Sequence, residues 1–569
     1  QFGELPITNA VIPVGGPDAY LGKSAEDILR NIGEANSAFS LKANYRLMQD
    51  VALVQGPWSP IGREGVAGVF AGRFYGGGHT ISNLRLKRVN VVSGENCVGF
   101  FGSIYGTLAY PAWICDVNFV VDTSQELVTG GTTAFSYVGI LGRSQMAGIK
   151  NVHVRGDVPG RPLIVRHDDP VLSRIRLGGL VGLFYPGNQP GPVALTESSN
   201  SLDIVLKYGV FVAGNDETCV GGLVGYAGAG IVNNSINGYI KDSYNDGNIT
   251  VHFTGGYPAT AAANARHLIN VGGIVGRSQE NYIHIENCYS TGKVIVVHGT
   301  IKPDGDPEDD GNGASALGGI VGIDNSGTSL NVRYNYAAGS LIQKGRLTRG
   351  QGSLTDENSF LGGVSGWNKM ANHAAYNALF MPNILYPPYG VSATVAQRQR
   401  VSRYMQSTAQ ENKAYGAMVV DLYTDRANII VSGAGRPAGV LNPAGNAIWN
   451  KAHGTSSTLD DFKDKATYQV LGWRFEDNAE LRAADEPETI PGKHWHWKML
   501  EGSAYPFPVL WWQAKHLDKA STGGISPDTG TKLQWWETSL PAINETWPQH
   551  AQWNPTGELK LEIPLPPLP

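Results

Sequence analysis

Two short stretches hold the residues best suited to chemistry. Asp304, Asp306, Glu308, Asp309 and Asp310 crowd into PDGDPEDDGNG at 303–313, and hard carboxylate oxygens at alternate positions suit Ca2+. The ligands would be Asp304, Asp306, Glu308 and Asp310. Asp309 stands where an EF-hand loop needs glycine, and a solvated acidic loop accounts for the same residues. His494 and His496 flank Trp495, a spacing that puts two imidazoles on one face of a strand. No third ligand follows nearby, so an aromatic cluster is the stronger reading.

Further chemistry is hard to assemble. The chain lacks G-x-x-x-x-G-K-[ST], H-E-x-x-H and G-x-S-x-G, the signatures of phosphate cradles, zinc proteases and serine hydrolases. Glycan cleavage needs an acid and a base within reach of one atom, whereas the strand-like segments offer Asn, Ser, Tyr and isolated charges. No catalytic residue and no cofactor other than Ca2+ is therefore assigned. Trp58, Trp367, Trp495 and Trp497 would stack on sugar rings if exposed. Arg155-Gly156-Asp157 spells an integrin-type tripeptide, but its glycine belongs to a repeat, which makes the match fortuitous.

The elements that position these residues are set by glycine. The chain has 569 residues, 73 of them Gly, well above the usual 7% or so. With 44 Lys+Arg against 49 Asp+Glu and no basic cluster, the chain lacks the electrostatic footprint of a nucleic-acid binder. No apolar run of about 18 residues is present to span a bilayer. Cys97, Cys115, Cys219 and Cys288 are too few for a disulfide scaffold and too scattered for a zinc site; small buried thiols fit best.

One motif recurs seven times: CVGFFG, YVGILG, LGGLVG, VGGLVG, VGGIVG, LGGIVG and LGGVSG. Its inner glycines are Gly99, Gly139, Gly179, Gly222, Gly273, Gly319 and Gly363, spaced by 40 to 51 residues. Most copies are followed by a β-type stretch ending near a glycine, as in IKNVHVRG, YIKDSYNDG, IHIENCYSTG and LNVRYNYAAG. Glycine suits a bend needing positive φ, and stacked backbones about 4.8 Å apart leave no room for a Cβ there. A unit of this length cannot bury its apolar face alone, but stacked units can. The expected fold is an all-β solenoid. Asn83, Asn118, Asn151 and Asn287 are expected at corresponding bends, with their amides laddering between coils. The loose period places insertions at 157–174, 186–217, 252–269, 298–315 and 341–358.

The [VLI]GG[LI]VG pattern with its trailing I-x-N-x-Y-x-x-G resembles the GLUG repeat family of bacterial cell-surface and secreted proteins. WSPIG at 58–62 and FAGRFYGGGHTISNL at 70–84 resemble the opening of such arrays. Tyr75 departs from the family pattern, which has Asp there. The resemblance implies a right-handed parallel β-helix with about two coils per repeat, usually exported, with Gln1 then starting a mature chain after signal removal.

Residues 1–44 are expected to form an N-terminal cap with a helix opening at Ser24, and 45–370 the repeat array. Degenerate repeats and closing coils would fill 371–512, with a helix at 393–410, strands in GAMVVDLY and NIIVSGAG, and aromatic residues plugging the last coil. The tail 513–569 would place Leu559, Leu561 and Ile563 on one strand face, against its own solenoid or a neighbouring subunit. The expected function is that of a non-catalytic, exported cell-surface or extracellular structural protein. It would contact itself or other envelope proteins. The alternatives are a carbohydrate-binding adhesin and, third, a β-helix polysaccharide lyase or glycoside hydrolase.

Overall fold

The computed structural model describes residues 11–386 apart from 18–19, 64–67, 89–95, 108–109, 130–134, 168–173, 188–192, 209–215, 229–237, 254–266, 280–282, 299–313, 326–330, 345–358, 369–373 and 376. Beyond these it describes 413–420, 429–432, 455–456, 463–475, 496–500 and 507–514. The fold is all-β with parallel sheets. Two seven-stranded sheets follow chain order, one built from the strands before each glycine motif and the other from the strands after it. They are called here the leading and trailing sheets. The remaining repeat strands join a third, larger sheet.

Each strand pairs with its counterpart one whole repeat later. Ile204–Tyr208 lies beside Ile249–Phe253, which lies beside Val294–His298, which lies beside Leu341–Lys344. A repeat therefore adds one layer, not the two coils implied by the family resemblance. Three of the expected insertions contain whole strands: Leu163–His167 falls within 157–174, Val193–Thr196, Ser199–Ser201 and Ile204–Tyr208 fall within 186–217, and Leu341–Lys344 falls within 341–358. Their short apolar alternations were masked by flanking Pro, Gly and polar residues.

Columns of like residues fill the interior. Ile149, Leu195, Ile240, Ile285 and Val332 stack through successive layers with essentially no exposure, and β-branched side chains suit this doubly covered position. The stretch after each of the first six motifs turns at a residue in the left-handed region: Asp116, Asn151, Glu197, Asp242, Asn287 and Tyr334 all have φ between 49° and 59°. Asn151 and Asn287 thus occupy the expected bend, and Asn83 has φ 57°. Asn118 instead lies two residues past the bend of its layer at Asp116 and donates its amide to the Gly78 carbonyl. Acidic residues separate Asn151 from Asn287, so the amide ladder forms elsewhere. Asn200 Nδ2 donates to Asn245 Oδ1 at 2.8 Å, and Asn335 Nδ2 to Asn377 Oδ1 at 3.1 Å.

The motif glycines have a steric cause alone. None appears among the described glycines of positive φ, so the bend does not need that conformation. A Cβ on Gly222 would overlap the Gly273 carbonyl, and one on Gly273 would overlap that of Gly319. The last glycine of each copy brings the trailing strand onto the leading strand of the layer before: a Cβ on Gly276 would sit 2.6 Å from both Gly225 O and Val220 N. The recurring small residues thus hold two sheets backbone to backbone.

At the N-terminal end, Ser24 Oγ accepts from the Asp27 N–H at 3.1 Å and starts the helix Ala25–Arg30, as its sequence predicts. Ile28, Leu29 and Ile32 turn into the core. Val11–Val14 already pairs in parallel with Asn44–Leu47, so the first layer begins within the segment expected as a cap.

Toward the C-terminus, Lys413–Val420 and Ile429–Ser432 form the expected strands and pair antiparallel. The helix expected at 393–410 lies outside the described residues. No described helix is long and apolar enough to cross a membrane.

Candidate functional site

Three of the sequence-predicted sites fall outside the described residues: Asp304, Asp306, Glu308 and Asp310; His494 with Trp495; and Leu559, Leu561 and Ile563. Among the described residues, no group of three His, Cys, Asp or Glu side chains could hold a metal. The seven inner glycines Gly99, Gly139, Gly179, Gly222, Gly273, Gly319 and Gly363 lie at the bends between leading and trailing strands.

Two of the expected sugar-stacking tryptophans are buried. Trp58 stacks on Phe100 at 4.7 Å and donates its Nε1–H to the Phe100 carbonyl. Trp497 has no exposure, and the Trp367 and Trp495 side chains lie outside the described residues. Asp157, of the integrin-like tripeptide, accepts from the Thr123 N–H at 3.0 Å and the Thr123 hydroxyl at 2.7 Å. Burial pushes its carboxyl up, but these bonds and Arg161 outweigh it and hold the pKa at about 2. That carboxylate is committed within the fold. All four cysteines are free, three of them buried; burial raises the Cys219 and Cys288 thiols, so they stay protonated.

The stack creates what local sequence could not show. Tyr244, Tyr289 and Tyr336 occupy one position in three successive layers, with ring centroids 4.8 Å apart and planes within 1°. The layer spacing dictates that separation. Against this ladder pack Tyr468, Trp473, Phe475, Trp497, Phe507, Val509 and Leu510. The aromatic residues expected to plug the last coil therefore cover a flank instead. Within this segment Lys465–Val470 is a helix, capped by Asp464.

Polar anchors fix the segment. Trp497 Nε1 donates to Asn287 Oδ1 at 3.2 Å, Trp512 Nε1 to the Asp242 carbonyl at 2.8 Å, and the Tyr289 hydroxyl to Gln513 Oε1 at 2.8 Å. His496 Nδ1 lies 2.5 Å from Asp242 Oδ1.

In the column of this ladder, two layers before Tyr244, stands His153. Its Nδ1 lies 2.8 Å from Ser199 Oγ and its Nε2 2.7 Å from Asn151 Oδ1, while Asn151 Nδ2 donates to Asp116 Oδ1 at 2.9 Å. A serine, an imidazole and an amide–carboxylate pair in line resemble a nucleophile relay. Access decides against that use: Ser199 is fully buried, His153 is 1% exposed, and the Trp512 ring lies 5.4 Å from the imidazole.

Burial holds the His153 pKa well below its ordinary 6.5. A base held neutral in the fold binds a proton more readily once unfolded, so stability falls as pH drops below about 6.5. His153→Gln is expected to flatten the loss between pH 6.5 and 5 by up to about 1.4 kcal/mol per pH unit. Denaturant titrations at several pH values check this, and an unchanged slope would contradict it.

Residues 267–295 match the family model described as the GLUG motif. The chain carries the GLUG motif. The matched GLUG segment begins with the leading strand His267–Gly272, crosses the Gly272–Gly273 bend and includes Tyr289 of the ladder. It thus spans both the backbone contact and the aromatic flank. No curated protein matches the chain, and no solved structure matches it.

Proposed function

We propose that the chain is a non-catalytic, exported or cell-surface scaffold, a right-handed parallel β-helix that acts through contacts along its sides, with itself or with other envelope proteins. The observation that carries this reading is Trp512 over His153. The arrangement nearest to a nucleophile and base is sealed beneath an aromatic ring and serves packing. The layers give the same reason in another form. A stack that repeats its contacts every layer is a stiff rod whose outer columns are available along its length.

Light scattering on the purified chain tests the reading. Association that rises with concentration is expected, and it should disappear when 515–569 is removed while the far-ultraviolet circular dichroism stays unchanged. A monomer at every concentration would count against the scaffold. Release of reducing ends from any polysaccharide would replace it with the enzyme reading.

A further inference from the structure

Unlike Trp58 and Trp497, Trp113 is partly exposed. Its neighbours in the strand, Ala112 and Ile114, turn into the core with no exposure, so Trp113 faces outward from the third sheet. Its Cα partner in the next layer is Gly148. That glycine is not among those of positive φ, and what a side chain there would meet is the indole. The three atoms nearest an added Cβ are Cζ3, Cη2 and Cε3 of Trp113, at 2.5, 2.6 and 2.7 Å. Three adjacent ring carbons at nearly equal distance put that position over the face of the ring, not at its edge. The indole therefore lies flat on Gly148, with one face on the sheet and the other turned outward. An aromatic ring over a strand glycine offsets what the glycine costs the sheet, and it also fixes the orientation of the outer face.

Accessible polar groups stand beside this ring. Lys150 lies two residues past Gly148 on the same face of the strand, about 7 Å away. Its Nζ is 3.6 Å from Glu197 Oε2, and the two side chains are 44% and 36% exposed. So loose and open an ion pair adds little to stability, yet it presents a hydrogen-bond donor and an acceptor together without net charge. Further along the outward column of Trp113 and Gly148, Ala194 and the partly exposed Tyr239 follow in register. Glycine and alanine between the two aromatic residues keep the floor low over three layer spacings, about 14 Å.

We propose that Trp113, Lys150 and Glu197 bind a neutral linear polysaccharide of all-equatorial pyranoses, a β-linked glucan, running along the stack toward Tyr239. Such a sugar carries only C–H groups on its faces and its hydroxyls on its rim. The face would lie on the indole, while rim hydroxyls would donate to the Glu197 carboxylate and accept from the Lys150 ammonium. A pair without net charge gives an anionic sugar no advantage. Contact without cleavage is all that this requires, and it stands or falls apart from self-association.

Isothermal titration calorimetry of the full chain with cellohexaose tests the site. Saturable binding is expected, at least tenfold weaker in Trp113→Ala, since a tryptophan anchor carries a large share of a contact, and clearly weaker in Lys150→Ala. Gly148→Ala is the sharper variant. Its Cβ lifts the indole without removing it, so affinity should fall, whereas a purely structural contact between glycine and indole would move only the melting temperature. Thermal melts on the same samples check that each variant folds. No binding at millimolar cellohexaose, or unchanged affinity in Trp113→Ala and Gly148→Ala, would overturn the site. Tighter binding of an oligogalacturonate or of choline would overturn the neutral-sugar assignment in favour of an anionic glycan or a quaternary ammonium. Light scattering on the same samples reports self-association separately.

Discussion

Gly276→Val is expected to lower stability by about 3 kcal/mol or more, the range reached when overpacking forces backbone apart. The added Cβ alone would lie 2.6 Å from Gly225 O and Val220 N, and both are backbone atoms tied into neighbouring layers. Neither can rotate away, so the strain passes to the leading strand Asp216–Gly221 and the trailing strand Val224–Gly228 of the layer before. Gly160→Ala supplies the comparison. Gly160 has φ +74° but nothing within 4 Å of an added Cβ, so it should cost only about 1 kcal/mol, the conformational part. Urea unfolding of both variants measures the difference. Equal losses would mean that close approach is not what the motif secures.

Trp497→Ala is the second large effect, expected at about 3–5 kcal/mol for a fully buried tryptophan. Its ring meets Trp473 at 4.6 Å and Tyr336 at 5.7 Å, and its Nε1–H satisfies Asn287. Truncation would open a cavity between the flank segment and the tyrosine ladder and leave Asn287 short of a donor. Tyr289→Phe should cost only about 1 kcal/mol, since it removes the Gln513 bond and keeps the stack. Near-ultraviolet circular dichroism should fall sharply for the first variant and little for the second. A Trp497→Ala protein as stable as the parent would show that the flank segment does not help hold the stack.

The two predictions separate what local sequence shows from what it hides. Gly272, Gly273 and Gly276 were visible as a repeat, and their spacing alone implied stacked parallel layers. Their reason was half visible: close approach follows from layer spacing, but positive φ does not occur there. Ile204–Tyr208 lies in a stretch that sequence alone presents as insertion, because polar and Pro-containing residues interrupt its pattern. Tyr244, Tyr289 and Tyr336 are present in the quoted repeats, yet their partners Trp497 and Trp512 lie more than 150 residues further along the chain, and no local pattern links them. Ser199 and His153 are likewise invisible as a pair until counterpart positions in consecutive repeats are laid side by side. That alignment is the signal that would have found them.

Register is the most direct test of the account, because every column described here depends on one layer per repeat. Arg166 and Lys207 are Cα partners on neighbouring parallel strands with their side chains partly exposed. Arg166→Cys with Lys207→Cys should oxidise to an intramolecular disulfide, since partners at strand spacing lie within bonding range. Arg166→Cys with Val205→Cys, two residues out of register, should stay reduced. Closure of the second pair in place of the first would contradict the stack.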